Sequence, residues 1–128
     1  MGLVGFCYGG GLAVAATASA AEEQRPPSLL ISYYGSALPT MLERAAQVEV
    51  PSLHHFGTAD SFLPLAQVEA IREAVTAGGT RPQVRVDLHD GAGHAFDNPH
   101  PALHHAAAAE AAWRSTVDSL AAHLPTGR

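Results

Sequence analysis

Leu3-Val4-Gly5-Phe6-Cys7-Tyr8-Gly9-Gly10-Gly11, near the start of a 128-residue chain, is the stretch on which the fold turns. Residues 3–6 are a short apolar run that stops at a glycine-rich turn. Residues 10–22 are alanine-rich and free of proline, which predicts a helix. Gly5-Phe6-Cys7-Tyr8-Gly9 therefore fits a G-x-nucleophile-x-G turn between a strand and a helix. Glycines flanking such a turn let helix and strand approach closely while the nucleophile takes a strained backbone conformation. The turn lifts the Cys7 sulfur above the sheet edge and sets it at a helix N-terminus, where the dipole and free N–H groups favour a thiolate. The N–H of Tyr8 is then suited to stabilise an oxyanion. The alternative is a buried cysteine beside a glycine-rich helix start.

Outward from this turn the pattern repeats. Arg25-Pro26-Pro27 breaks the first helix, and residues 28–34 (SLLISYY) read as a strand buried on both faces, ended by Gly35. Residues 39–47 are a short helix candidate, and residues 52–56 (SLHHF) a third strand ending at Gly57. Residues 64–77, with Leu65, Val68, Ile71 and Val75 in phase, predict an amphipathic helix capped by Gly78-Gly79. Residues 83–89 (QVRVDLH) alternate as a fourth strand with a more exposed face. Residues 102–124 predict a long final helix with Trp113, Val117 and Leu120 on its core side, ended by Pro125 and Gly127. This β-α order argues for an α/β fold, a parallel sheet with helices on both faces in three layers, and for a single domain over residues 1–128. Such sheets carry function in the loops at the C-terminal ends of their strands, here residues 7–11, 35–38, 57–64 and 90–98.

Composition narrows the function classes. Apolar residues make up 47% and charged residues only 15%, so the chain can bury a core and is not of a disordered class. All seven basic residues are arginines, and twelve acids leave a net charge of −5, which speaks against a nucleic-acid binder. One cysteine excludes an internal disulfide framework and a cysteine-rich zinc site, and fits a cytoplasmic location. The apolar start lacks the positive segment of a secretory signal, and its glycines weaken a membrane helix. Phe6 fits neither lipid attachment at Cys7 nor the myristoylation pattern. Neither membrane nor cofactor is expected.

Two further loops carry chemistry. Gly91-Ala92-Gly93-His94-Ala95-Phe96 follows the fourth strand, where a histidine can reach a nucleophile on a central strand. Its alternative is a surface loop histidine, in a chain with eight. Gly57-Thr58-Ala59-Asp60 follows the third strand, and an acid there can accept the Nδ1 proton of His94 and fix its tautomer. Its alternative is a turn or capping aspartate. The chain order Cys7, Asp60, His94 is nucleophile, acid, base, the order of α/β-hydrolases. Asp87, Asp90 and Asp97 are rival acids: the first lies within a strand, the second starts a turn, and the third is too near His94 in sequence for easy pairing.

These residues resemble the dienelactone hydrolase (carboxymethylenebutenolidase) family of α/β-hydrolases over nearly the whole chain. The likeness is carried by Val4-Gly5-Phe6-Cys7-Tyr8-Gly9-Gly10, Tyr33-Tyr34-Gly35, residues 55–64 (HFGTADSFLP), Ala92-Gly93-His94-Ala95-Phe96 and residues 111–116 (AAWRST). The cysteine in the elbow is its most specific part, since most relatives of the fold use serine. The resemblance implies Cys7 as nucleophile, Asp60 as orienting acid and His94 as base, with a small ester or lactone as substrate. Tyr34 matches a tyrosine close to the family's active site, and Phe96 is a second candidate for substrate contact.

The resemblance also sets expectations where the chain departs from it. Family members carry an N-terminal half before the elbow, with the first strands, a second oxyanion donor and a glutamate that helps activate the cysteine. A sheet starting at the nucleophile strand is expected to expose that strand's edge and a broad apolar face, favouring self-association or a complementing N-terminal half. In dienelactone hydrolase itself an arginine just after the His-x-Phe segment helps hold the substrate carboxylate. Asn98, preceded by Asp97, stands there instead, which speaks against that substrate while leaving the hydrolase chemistry. The alternative function is an inactive fragment or interaction module retaining this half of the fold. A zinc site at His100, His104 and His105 is disfavoured because Pro99 and Pro101 put His100 at a helix start with no acid at ligand spacing. His54 and His55 point to opposite sheet faces and cannot share one ion.

Overall fold

The computed structural model describes residues 1–124. Its strands are β1 (Gly2–Phe6), β2 (Leu29–Tyr33), β3 (Ser52–Gly57) and β4 (Val84–His89). They form one parallel sheet in the order β1-β2-β3-β4. The inner strands β2 and β3 are buried at every position, as the continuous apolar runs predict for strands covered on both faces. β1 and β4 are the two edge strands, and Val4 and Phe6 are exposed along β1.

The helices are α1 (Tyr8–Glu22), α2 (Leu42–Ala46) after a 3₁₀ turn at Leu38–Thr40, α3 (Leu65–Val75) and α4 (Ala106–His123). α1 covers the face to which Ser32 points, and α2 packs between α1 and α3. α4 covers the opposite face, where Thr116 bonds the Tyr33 hydroxyl at 2.7 Å. The buried side of α1 is Gly10, Gly11, Ala13, Val14, Thr17 and Ala18. A Cβ on Gly10 would lie 2.7 Å from Ser32 Oγ and 3.0 Å from the Gly35 Cα, so only glycine lets the helix sit this close to β2.

α4 differs from its sequence reading in two ways. Its core side is Ala108, Ala112 and Thr116, whereas Trp113 is 60% and Val117 43% exposed. Small side chains suit the close approach to β2 and β3, and Trp113 and Val117 are left on the solvent side, whereas Leu120 is partly buried against the core as expected. The helix also starts at Ala106 rather than Ala102. His105 is the N-cap, its Nδ1 accepting from the Ala108 N–H at 3.2 Å, and residues 101–103 form a turn. His100 and His104 therefore share no helix face. Pro125 and Gly127, expected to end this helix, lie outside the described residues. Among the described residues no helix is long and apolar enough to cross a membrane.

Candidate active site

Four loops meet at the C-terminal edge of the sheet. Cys7 ends β1 and stands as N-cap of α1 with φ 57° and ψ −127°, a left-handed conformation that L-residues adopt only under constraint. The constraint is visible in hydrogen bonds. The Cys7 N–H donates to the Tyr33 carbonyl at 3.0 Å, and its own carbonyl accepts from Gly10 at 2.9 Å and Ser36 at 3.3 Å. A Cβ on Gly5 would lie 2.2 Å from the Gly9 carbonyl oxygen, so the turn requires glycine at Gly5, while a Cβ on Gly9 meets nothing. Tyr34 (φ 38°) and Ala95 (φ 54°) add two more left-handed residues around the same point.

The three side chains singled out from the sequence converge here. Cys7 Sγ lies 3.3 Å from His94 Nε2, and His94 Nδ1 lies 2.7 Å from Asp60 Oδ2. The other Asp60 oxygen accepts the N–H groups of Phe62 at 2.8 Å and Leu63 at 3.2 Å, which locks the buried carboxylate in place. With Nδ1–H donating to Asp60, the Nε2 lone pair faces the thiol. The loops that carry Asp60 and His94 are clasped together: Ala59 N–H donates to the Ala92 carbonyl at 2.9 Å, Thr58 N–H to the His89 carbonyl at 3.1 Å and Gly91 N–H to Thr58 Oγ1 at 2.8 Å. Gly57 makes this approach possible, since a Cβ there would lie 2.2 Å from the Ala92 oxygen. A cleft of about 310 Å³ opens beside His94, lined by Ser61, Phe62, Leu103, His104 and His105 among others.

The electrostatics differ from the helix-dipole expectation. Burial pushes the Cys7 thiol above its ordinary value, and the Asp97 carboxylate adds to this. The N–H of Tyr8 pulls the other way, and Asp60 opposes it again. The helix terminus thus acts against partial burial and two nearby carboxylates, and the net direction for the thiol is upward.

Asp97, set aside from sequence as a partner for His94, has another one: it accepts the Tyr34 hydroxyl. The Tyr34 ring packs 5.0 Å from the His94 ring and 5.4 Å from Phe96. Phe96 itself is fully buried, against Tyr33, Tyr34 and His89, and so backs the site. Asp87 pairs with Arg85, and Asp90 accepts from Thr58. Sequence reasoning also missed a buried chain under α4. Thr116 Oγ1 bonds both the Tyr33 hydroxyl and, at 3.2 Å, His55 Nε2, while His55 Nδ1 meets His89 Nε2 at 3.0 Å. A threonine one turn after Ala112 on the alanine face was the available signal. Among the described residues no three histidine, cysteine or acidic side chains gather as a metal site would need.

The family model for the dienelactone hydrolase family matches residues 1–124. The chain belongs to the dienelactone hydrolase family. This member is 33% identical over 122 residues to a carboxymethylenebutenolidase of Pseudomonas putida, covering 94% of this chain and 48% of the relative. A carboxymethylenebutenolidase of Pseudomonas sp. strain P51 is 33% identical over 94 residues, covering 73% of this chain and 36% of the relative. This dienelactone hydrolase family chain thus spans about half the length, or less, of the curated relatives it matches. Its fold is similar to that of a dienelactone hydrolase-like promiscuous phosphotriesterase from metagenomic libraries (TM-score 0.78, 20% identity, 97% of this chain and 52% of the other). It is also similar to esterase 2 of Thermogutta terrifontis (TM-score 0.66, 19% identity, 93% and 52%). At these identities the solved structures bear on the fold alone.

Proposed function

We propose that this chain supplies the nucleophile, base and orienting acid of a hydrolase that cleaves carboxylic esters or lactones through a thioester on Cys7. The observation that carries the reading is the continuous line from Cys7 Sγ to His94 Nε2 (3.3 Å) and from His94 Nδ1 to Asp60 Oδ2 (2.7 Å). The names of the Pseudomonas relatives point to a lactone, which is an internal ester.

As sulfur attacks the carbonyl carbon, the thiol proton passes to His94 Nε2, so a raised thiol does not block the step. The ring becomes cationic, and Asp60 holds its orientation and offsets that charge. The Tyr8 N–H, at the first position of α1, faces the developing oxyanion. Collapse expels the alkoxide, which takes the proton from Nε2 and leaves the acyl group on sulfur. His94 then takes a proton from water, the resulting hydroxide attacks the thioester, and the acid departs as Cys7 recovers its proton. Tyr34, backed by Phe96, walls the site.

The test is p-nitrophenyl acetate turnover by the protein and its Cys7→Ala variant. Loss of at least roughly 10³ in kcat is expected, since the nucleophile has no replacement. Equal rates would remove Cys7 from the reaction.

A further inference from the structure

The two carboxylates at the site are held very differently. Asp60 is buried, and both its oxygens are occupied, by two backbone N–H groups and by His94. Asp97 is half-buried, and the hydrogen bond it accepts comes from the neutral hydroxyl of Tyr34. No arginine is paired with it among the described residues. Arg25, Arg44, Arg81, Arg85 and Arg114 pair with Glu23, Glu22, Glu49, Asp87 and Glu110 respectively. An uncompensated charge that is partly withdrawn from water acts over several ångströms with little screening. The ring that anchors it packs 5.0 Å from His94, whose Nε2 is 3.3 Å from the thiol, so this charge stands at the rim of the reacting centre. Its field reaches the sulfur, since Asp97 follows burial as the second cause of the raised thiol.

We propose that Asp97, anchored by Tyr34, is a specificity-determining charge that selects against substrates carrying a carboxylate near the scissile carbonyl, so the site takes neutral or cationic esters and lactones. This rests on the reading of Cys7 as nucleophile. A carboxylate brought close to Asp97 meets like-charge repulsion, whereas a neutral acyl group does not and an ammonium group is attracted.

The single cysteine allows a test that needs no turnover. Iodoacetamide and iodoacetate alkylate a thiolate by the same displacement of iodide and differ in charge. Their rates on Cys7, followed by mass spectrometry at low ionic strength, give a ratio from which the thiolate fraction cancels. Asp97→Asn is expected to shift that ratio toward iodoacetate by about threefold or more. Glu22→Gln removes one charge from the same total at the far end of α1 and is expected to leave the ratio alone. A ratio unchanged in Asp97→Asn, or moved equally by Glu22→Gln, overturns the proposal. Should the asparagine variant not fold, Asp97→Ser carries the same expectation. In the unaltered protein, raising ionic strength from about 0.01 M to about 1 M should move the ratio toward iodoacetate, and an insensitive ratio counts against the charge. Matched neutral and carboxylate-bearing esters should show the Asp97→Asn shift in relative kcat/KM. Were Cys7→Ala to leave ester turnover intact, the hydrolase reading would fail while the alkylation ratio still reported on Asp97.

Discussion

Gly57→Ala is a sharp probe of how Asp60 and His94 are brought together. A Cβ at this position would lie 2.2 Å from the Ala92 oxygen and 2.7 Å from its carbonyl carbon. Ordinary contact begins near 3.4 Å, so about 3.4 − 2.2 = 1.2 Å must be relieved, against backbone rather than a flexible side chain. The Ala92 oxygen is also the acceptor for Ala59 N–H at 2.9 Å, so moving it away opens the clasp between the Asp60 and His94 loops. Overpacking of this kind costs roughly 1–3 kcal/mol, and the lost hydrogen bond adds about 1 kcal/mol. Activity should suffer more than stability, because a displacement of about 1 Å in catalytic geometry costs on the order of 10² in rate. The assay pairs kcat on an activated ester with thermal unfolding. A loss of about 10² in kcat with a melting temperature lower by several degrees is expected. Wild-type kcat in a variant that melts normally would show that the approach of the two loops does not set the geometry of the pair.

Asp60→Asn should keep the fold and lose roughly 10²–10⁴ in kcat, because an amide that donates to Nδ1 reverses the tautomer; retention of activity would refute the orienting role. Stability should depend on pH below neutrality. Burial lowers His54 to about 4 and is the first cause lowering His55 to about 3, so the unfolded chain binds protons that the folded chain refuses. Stability is then complete above about pH 6.5 and lost as pH falls through about 4, with roughly 3 kcal/mol at stake for His54 alone. Urea melts at pH 7 and pH 5 should separate, and His54→Asn should narrow the gap; coincident melts would contradict the burial argument. Trp113→Gln should change stability by no more than about 0.5 kcal/mol, given the exposure of the ring, and a larger loss would mean that α4 packs differently.

The elbow, the parallel strand order and the meeting of Cys7, Asp60 and His94 were legible because each depends on local patterns: glycine at a crowded turn, apolar runs in buried strands and loops at strand ends. What stayed hidden depends on contacts across the fold. Periodicity shows that α4 has an apolar stripe over Trp113 and Val117, yet a helix lying this close to the sheet is selected by Ala108 and Ala112, whose smallness carries little periodic signal. The short distance in sequence between Asp97 and His94 says nothing of Tyr34, its partner from another strand end. His55 and Thr116 look unremarkable apart and form one buried chain only once α4 crosses β3. The thiol followed burial and neighbouring charge more than the helix terminus.

Because α1 meets the sheet through glycines and small side chains, the seam behind Cys7 has no slack to absorb change. A long side chain can swivel to accommodate a neighbour; a backbone resting on another backbone cannot. The height of the sulfur over the imidazole is thereby set by main-chain geometry. On the proposed reading of Cys7 as nucleophile, a change in which acyl or leaving group is accepted would have to come from the open loops around the rim, since any remodelling of the seam would shift the sulfur itself.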